Sequence, residues 1–553
     1  MMLPTSVRPS VSPDAIQRVG RLFNGSIDDI LNELVQNARR AGATCVFLEN
    51  RDRAGQPVLA VRDDGCGIDD PGTLVTLGRS GWSSEIAARE DPAGMGVFSL
   101  AGHHVEIRSY SHGADAGWRL TIPADAWEGR RALSVEPFAI DRGTEILIDL
   151  PDAWNKSLLP VARNVARFYP LPLHLDGEEL SRVNWLADAI YVEEWQGVRI
   201  GIVEGGFHRQ VSRTINFHGL TVPCVLARVA EADGNRSWEA LVDIVDAPQL
   251  QLVLPARKEM VQNSALDALK LACRHVIFRA IAASGPHTLA FSDWAEARDA
   301  GIALPAAEAR LTAWTPATAD PDTGRGTHII AQASNAILMP DFRPAIAPCA
   351  DRAFQADGRF AGRLADEKPA FEGYDWYDAL PRVADLSFRL TRGDEVALLS
   401  LHAGPEMDEG QVDSIQLAVT LHEDGREHVV TIPADVAIHY DAWEQYDFEE
   451  ADIYVSASSQ ITPDDLADLL TDCCFCSSDD RNLDSWQTQF DRFRVDALEQ
   501  ATRFLLGDDE AVLARLRCVL ADNVAWIVPD GRAVSVQLRR NEIEVQFVPE
   551  PAD

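Results

Sequence analysis

Apolar residues recur at helical spacing through Ile27, Ile30, Leu31, Leu34, Val35 and Ala38, and this face predicts an amphipathic helix over 26–41. Ser26 stands before it as an N-cap, Asp29 follows as the capping-box partner, and Gly42 is placed to stop it. The period then changes. TCVFLEN (44–50) alternates as a strand, RDRAGQP turns, and VLAVRDD (58–64) reads as a second strand. Residues 65–96 are rich in Gly, Ser and Asp and predict loops around a short helix. HHVEIRSYS, GWRLTIP, RALSVEPF and TEILIDL are four further strand candidates. Residues 15–150 therefore read as an α/β sandwich, with helices on one face of a mixed or antiparallel sheet.

Pro151 and Pro160 flank an expected junction, LLPVARNVARFY reads as helical, and LPLHLDGEELSRV as a hairpin around Asp176-Gly177. VRIGIVEG, TINFHGLTV, SWEALVDIVDA and QLQLVLP continue as strands, and a helix over about 260–284 closes an α+β unit. Pro and Ala dominate 301–380, which softens any boundary there. Strands near 385–440 predict a small β-rich unit. Helices near 462–472, 484–506 and 509–524 then precede a terminal hairpin, AWIVPDGRAVSVQLRRNEIEVQF. The fold class expected is α+β multidomain: a first domain over 14–150, a middle domain over 151–285, a linker or irregular region over 286–380 and an acidic α+β region over 381–553.

Composition narrows the picture. A chain of 553 residues exceeds what one core supports. No run of about twenty apolar residues lacks charge, so no membrane span is expected. MMLPTSVRPSVSPDA shows no apolar stretch after a basic start, so no secretory signal is expected. Nine unevenly spaced cysteines predict reduced thiols and a cytoplasmic setting. The net charge of −36 repels nucleic acid, which makes a DNA partner an unfavoured expectation. Residues 401–553 hold 33 Asp or Glu against 10 Arg and no Lys, a solvated surface or a docking face for a basic partner. The scarcity of Lys beside Arg and Ala suggests a GC-rich bacterial genome.

Candidate chemistry begins with Glu33 and Asn37, which at i and i+4 share one helix face. The acid is suited to hold a water and the amide oxygen a hard cation. Asp63 ends a strand and precedes Gly65 and Gly67, an acceptor for a nucleobase amine beside backbone free to approach closely. Ser80 and Gly81 lie in a serine- and glycine-rich strip expected to form a hinged lid. Gly94, Gly96 and Val97 form a glycine loop running into an apolar segment, which offers N–H groups to phosphate. Gly143-Thr144 opens a strand whose hydroxyl backs the base contact. Cys473-Cys474-Phe475-Cys476 lacks a second ligand pair nearby and reads as buried thiols at a helix end rather than a metal site.

The order Glu-x-x-x-Asn, Asp-x-Gly-x-Gly, Gly-x-Gly, Gly-Thr resembles the GHKL ATPases, the superfamily of gyrase B, the ninety-kilodalton heat-shock chaperones, histidine kinases and MutL. ELVQNARRAGAT and VRDDGCGI are most similar to the MutL branch, and GRSGWSS and DPAGMGVFS to the chaperones. The resemblance covers about 14–150. It implies a Bergerat ATP fold with a lid over about 70–96, bound ATP and Mg²⁺, Glu33 as general base, Asn37 as Mg²⁺ ligand and Asp63 as the adenine contact. Gly65, Gly67, Gly94 and Gly96 match the loop glycines, and Thr144 the threonine of Gly-Thr. LPARKEMVQ (254–262) is similar to the MutL loop of a transducer domain, with Arg257 in the place of the cation that meets the γ-phosphate. The sequence departs from the family pattern at Arg40, where an acid is usual, and at Asp64, where Asn is common. Arg39 and Arg40 near Asn37 are expected to compete with Mg²⁺ or to assist phosphate.

Three functions follow as expectations. The first is an ATP-driven, chaperone-like conformational machine, homodimeric in the manner of the family, whose unknown protein client meets the C-terminal region. The second is MutL- or topoisomerase-like DNA processing, favoured by motif spelling and opposed by charge. The third is a non-hydrolysing ATP sensor; the histidine-kinase version lacks a phosphoacceptor His before Asp14.

Overall fold

The computed structural model describes residues 26–76, 81–82, 96–128, 131–205, 214–253, 259–320, 329–330, 333–400, 403–440, 451–478 and 484–548. The chain is α+β and divides into two compact units, 1–307 and 308–553.

The first unit opens with α1 (Ile27–Arg40), capped where Ser26 Oγ accepts from the Asp29 N–H at 3.2 Å. The partnership with Asp29 is completed by the Ser26 hydroxyl donating to the Asp29 carboxylate at 2.8 Å. Ile27, Ile30, Leu31, Leu34, Val35 and Ala38 are all buried, so the helical period did face a core. Strands follow as β1 (Val46–Arg53), β2 (Gln56–Asp63), β3 (Val105–Tyr110), β4 (Trp118–Ile122), β5 (Val135–Pro137) and β6 (Gly143–Asp149). Helix α2 (Asp152–Ala166) comes next, then β7 (Leu173–Leu175) and β8 (Glu178–Glu179). These eight strands form one sheet in the order β5-β4-β3-β6-β2-β1-β7-β8. Strand β7 pairs parallel to β1, with Val46 opposite Leu173, so the sheet continues past residue 150. Pro160, read as a junction marker, lies inside α2 instead; the helix runs through it and forgoes that one N–H bond.

A second sheet in the same unit comprises β9 (Tyr191–Trp195), β10 (Val198–Gly205), β11 (Ile215–Phe217), β12 (Leu220–Val222), β13 (Arg228–Ala230) and β14 (Ser237–Ile244). Helix α3 (Ser264–Ser284), capped by Asn263, buries Leu266, Leu269, Val276, Ile277 and Ile281 in the core shared with Ile200, Ile202 and Val242. Among the described residues the expected strand QLQLVLP forms one isolated bridge, Leu252 with Met260, and its last two residues lie outside them. Helix α4 (Phe291–Asp299) ends the unit.

The second unit starts with the short pair β15 (Leu311–Thr312) and β16 (Ile329–Ile330). Then come β17 (Ile337–Met339), α5 (Ala347–Gln355), β18 (Leu364–Asp366) and the single turn α6 (Asp375–Asp378). Trp314, Ile337 and Phe354, from the stretch read as linker, join the core of this unit. Strands β19 (Arg382–Arg392), β20 (Glu395–Ser400), β21 (Gly410–Val412), β22 (Ser414–Glu423), β23 (Arg426–Ala434), β24 (Val436–His439) and β25 (Asp452–Ser456) divide between two sheets. Helices α7 (Pro463–Cys474), α8 (Trp486–Leu506) and α9 (Asp508–Asn523) lead to the terminal pair β26 (Val534–Arg539) and β27 (Glu542–Phe547). Among the described residues no helix is long and apolar enough to cross a membrane.

Candidate functional site

The C-terminal end of α1 and the glycine turn after β2 are bonded to one another. The Cys66 N–H donates to the Ala41 carbonyl at 2.8 Å. A Cβ on Gly65 would sit 2.6 Å from the Ala41 Cβ, so only glycine admits this approach. Asp64 completes the join: its carboxylate accepts from the Thr44 N–H at 2.7 Å and the Cys45 N–H at 3.3 Å, and from the Thr44 hydroxyl. Desolvation works to raise the Asp64 carboxyl, yet the Thr44 and Cys45 bonds hold it below the usual range. Asp64 is thus a clamp between the glycine turn and the segment that follows α1.

Asp63 lies in register with Thr144 across β2 and β6, and Thr144 with Ser109 across β6 and β3. Ser109 was missed in the sequence. Its hydroxyl lies 3.1 Å from Thr144 Oγ1, donates to the Gly143 carbonyl at 2.9 Å and accepts from the Ile68 N–H at 2.9 Å. Only strand register brings Ser109 to this row, and spacing within β3 carries no sign of it. Asp63 Oδ1 accepts from the Gly65 N–H at 2.9 Å. Burial pushes the Asp63 carboxyl up to about 6, opposed by the Gly65 bond and aided by the Asp64 charge. A partly desolvated carboxylate at a strand end is an acceptor in want of a donor, which suits an exocyclic amine. Gly143 has φ +124°, and a Cβ there would lie 2.2 Å from the Asp63 carbonyl, so the Gly of Gly-Thr is required where β6 begins beside the end of β2.

On α1, Glu33 is 9% exposed. Arg40 stands one turn beyond Asn37 on the same face. Its Nη1 donates to Asn37 Oδ1 at 3.0 Å and lies 4.0 Å from Glu33 Oε1, with 7% of its side chain exposed. The expected base, the expected cation ligand and the expected intruder are therefore one cluster. Asn37 thus presents its amide oxygen to a guanidinium.

Two further contacts fix α1, and neither was legible from spacing. The buried Tyr169 hydroxyl donates to the Val35 carbonyl at 2.5 Å. Burial raises its phenol, with Arg39 opposing and Asp63 adding. Gln36 Nε2 donates to the His218 carbonyl at 2.7 Å in the turn between β11 and β12, and Arg39 Nε donates to Gln36 Oε1 at 3.3 Å. The turn is tight, with positive φ at His218 and Gly219, and a Cβ on Gly219 would lie 2.9 Å from the Tyr169 Cα.

Of the remaining candidates, Gly67 has φ +74° and abuts the Tyr110 carbonyl. Gly81 is exposed, with Thr73 Oγ1 2.9 Å from where its Cβ would be. Gly96 and Val97 begin a short 3₁₀ turn whose Phe98 and Leu100 share the core with α1. Ser80, Gly94 and Arg257 lie outside the described residues, as does most of the expected lid. In the second unit Cys473 and Cys474 end α7 inside the core, Cys476 is exposed beyond it, and a hydrogen bond with Cys349 and burial hold the Cys473 thiol well above its usual range.

No protein-family model matches the chain, and no curated protein matches it. Among solved structures, one described as the N-terminal domain of a DNA repair protein aligns with 47% of this chain and 96% of its own, at 12% identity and a TM-score of 0.29.

Proposed function

We propose that this chain is a GHKL-type ATPase, with a Bergerat ATP fold in its first sheet and a transducer-like second sheet. The observation that carries the reading is the bonded convergence of α1 with the Asp63–Gly67 turn, through the Cys66-to-Ala41 and Thr44-to-Asp64 bonds. That convergence brings the C-terminal end of α1, the helix that carries Glu33, against the turn that follows Asp63. In this reading Asp63 accepts from the adenine amine, with Thr144 and Ser109 backing it. Glu33 orients and deprotonates the attacking water. Arg257, Ser80 and the Gly94–Val97 loop meet the phosphates. The His218 turn on Gln36 gives the second sheet a direct hold on α1. The magnesium expected on Asn37 is the part of the scheme that the geometry supports least.

The biological setting that fits is a cytoplasmic, chaperone-like conformational machine, with an unidentified protein client at the acidic C-terminal region and a second copy of the chain as dimer partner. The net charge of −36 argues against DNA processing. A second reading, a slowly hydrolysing or silent ATP sensor, is favoured by the Arg40 guanidinium beside Glu33. Phosphate release by the parent chain and by Glu33→Ala decides between them, with ATP binding followed by calorimetry. The expected result is retained binding and a loss of release by a factor of about 10²–10⁴. Equal release by both proteins removes the base assignment, and no heat with ATP removes the reading.

A further inference from the structure

Residues 33, 37 and 40 fall at i, i+4 and i+7 of α1 and share one face of the helix. Arg40 reaches back along that face, 3.0 Å from Asn37 Oδ1 and 4.0 Å from Glu33 Oε1. A guanidinium carries only donors and keeps its charge at any working pH, so Asn37 must turn its oxygen, not its NH₂, toward it. Those are the lone pairs a cation would need. Magnesium demands close, nearly octahedral oxygen ligands and sheds water reluctantly, so it does not share an amide oxygen with an adjacent fixed positive charge. Position in the last turn of α1 gives Arg40 a favourable helix dipole, but that alone is satisfied by an exposed side chain. Arg39, the other arginine of that turn, is directed elsewhere, to Gln36. The Arg40 side chain is instead only 7% exposed, in a chain with no Lys before position 156.

We propose that Arg40 is a built-in cation that takes the place of the Asn37-bound metal, so that this site binds the triphosphate of metal-free ATP and has little use for Mg²⁺ in binding. The proposal rests on the nucleotide reading above. Phosphate charge that the usual site shares with a metal is met here by a guanidinium suited to bidentate phosphate contact. The same group holds the Glu33 carboxylate by charge, so hydrolysis requires Arg40 to leave Glu33 for the phosphates.

The test is calorimetric binding of ATP in excess EDTA and in MgCl₂, for the parent chain, Arg40→Gln and Arg40→Lys. The parent is expected to bind in EDTA within about threefold of its affinity in Mg²⁺, a difference under about 0.7 kcal/mol. Arg40→Gln is expected to weaken by at least about tenfold in EDTA and to recover in Mg²⁺, because Asn37 is released to ligate it. Arg40→Lys keeps the charge without the fork and is expected to fall between. Mn²⁺ electron paramagnetic resonance gives a readout independent of turnover: immobilised Mn²⁺ with ATP in Arg40→Gln and not in the parent. A parent chain whose binding is lost in EDTA overturns the proposal, and this arm needs no variant to fold. Equal EDTA affinity of parent and Arg40→Gln, with thermal unfolding showing both folded, also overturns it. Absence of ATP binding in every arm overturns the nucleotide reading and this proposal with it.

Discussion

Replacing Asp63 by Asn separates what this carboxylate does for the fold from what it does for a ligand. The carboxyl is pushed from 3.8 to about 6, chiefly by burial. Two units at about 1.36 kcal/mol each come to about 3 kcal/mol held against the folded state once the group is ionised. The folded chain binds this proton more tightly than the unfolded chain. The contribution of Asp63 is therefore fully favourable below pH 3.8 and is lost as pH rises through about 6. The side chain is partly open to solvent, which screens the penalty, so Asp63→Asn is expected to gain about 1–2 kcal/mol at about pH 7.5. The gain should close as pH falls to about 4, where the parent carboxyl holds its proton. The amide still accepts from the Gly65 N–H, so the turn keeps its bond. Urea unfolding at the two pH values, with m-values compared, measures the gap. The same substitution exchanges a charged acceptor for a neutral one and is expected to weaken ATP by roughly tenfold. A variant less stable than its parent at neutral pH, or a gap indifferent to pH, refutes the desolvated-carboxylate argument.

Gly143→Ala brings a Cβ to 2.2 Å from the Asp63 carbonyl at φ +124°; an expected loss of about 3 kcal/mol in urea unfolding checks it, and a change under about 0.5 kcal/mol would show that β6 can move off β2. In the terminal hairpin, Val534, Val536 and Leu538 stand opposite Phe547, Val545 and Ile543, which makes one apolar face on a two-stranded sheet with Ile543 and Val545 well exposed. Such a pair is marginal alone in water, and residues 524–548, with three Arg against Asp530, Glu542 and Glu544, are neutral within a strongly acidic chain, so a second copy can approach there without charge repulsion. Light scattering is expected to give a dimer for the parent and a monomer for Val545→Glu; a monomeric parent at high concentration refutes the assignment, and a dimer untouched by Val545→Glu moves it elsewhere.

The period of α1 and the alternation of β1 and β4 were legible because each buries one face; β2, β3 and β6 bury consecutive residues on both faces and were legible as short apolar runs instead. The hairpin at Asp176-Gly177 was legible because left-handed backbone selects few residues; TINFHGLTV was read as one strand, and the His218-Gly219 turn that folds it into the antiparallel pair β11 and β12 was missed. QLQLVLP was read as a strand from its alternation; its last two residues lie outside the described residues, and among those described it pairs only at the Leu252–Met260 bridge and the Val253-to-Glu259 and Val261-to-Gln251 backbone bonds beside it. Pro160 was over-read because proline forfeits one bond while α2 is held by its packing, with Leu158, Ala162 and Val165 in the core. The sheet order, and the return of β7 to pair with β1, are long-range pairings that no local pattern encodes.

The site divides along the same line. Glu33 and Asn37 share a face by arithmetic, and Asp63 and Gly65 by adjacency. Ser109 enters only through register, and Tyr169 and His218 through packing from segments 134 and 182 residues away from their partners in α1. Arg40 is the instructive case. Its spacing from Glu33 and Asn37 was plain, and its charge marked it as a competitor for Mg²⁺. Spacing gave no direction, because an arginine at the end of a helix is equally at home pointing into water. The structure decides it: the side chain is 7% exposed, and its guanidinium lies 3.0 Å from Asn37 Oδ1 and 4.0 Å from Glu33 Oε1. An acid at position 40 could not fold back in that way beside Glu33 without like-charge repulsion, and it would leave the Asn37 oxygen open. On the proposal above, one change of sign alters which cation the helix face receives.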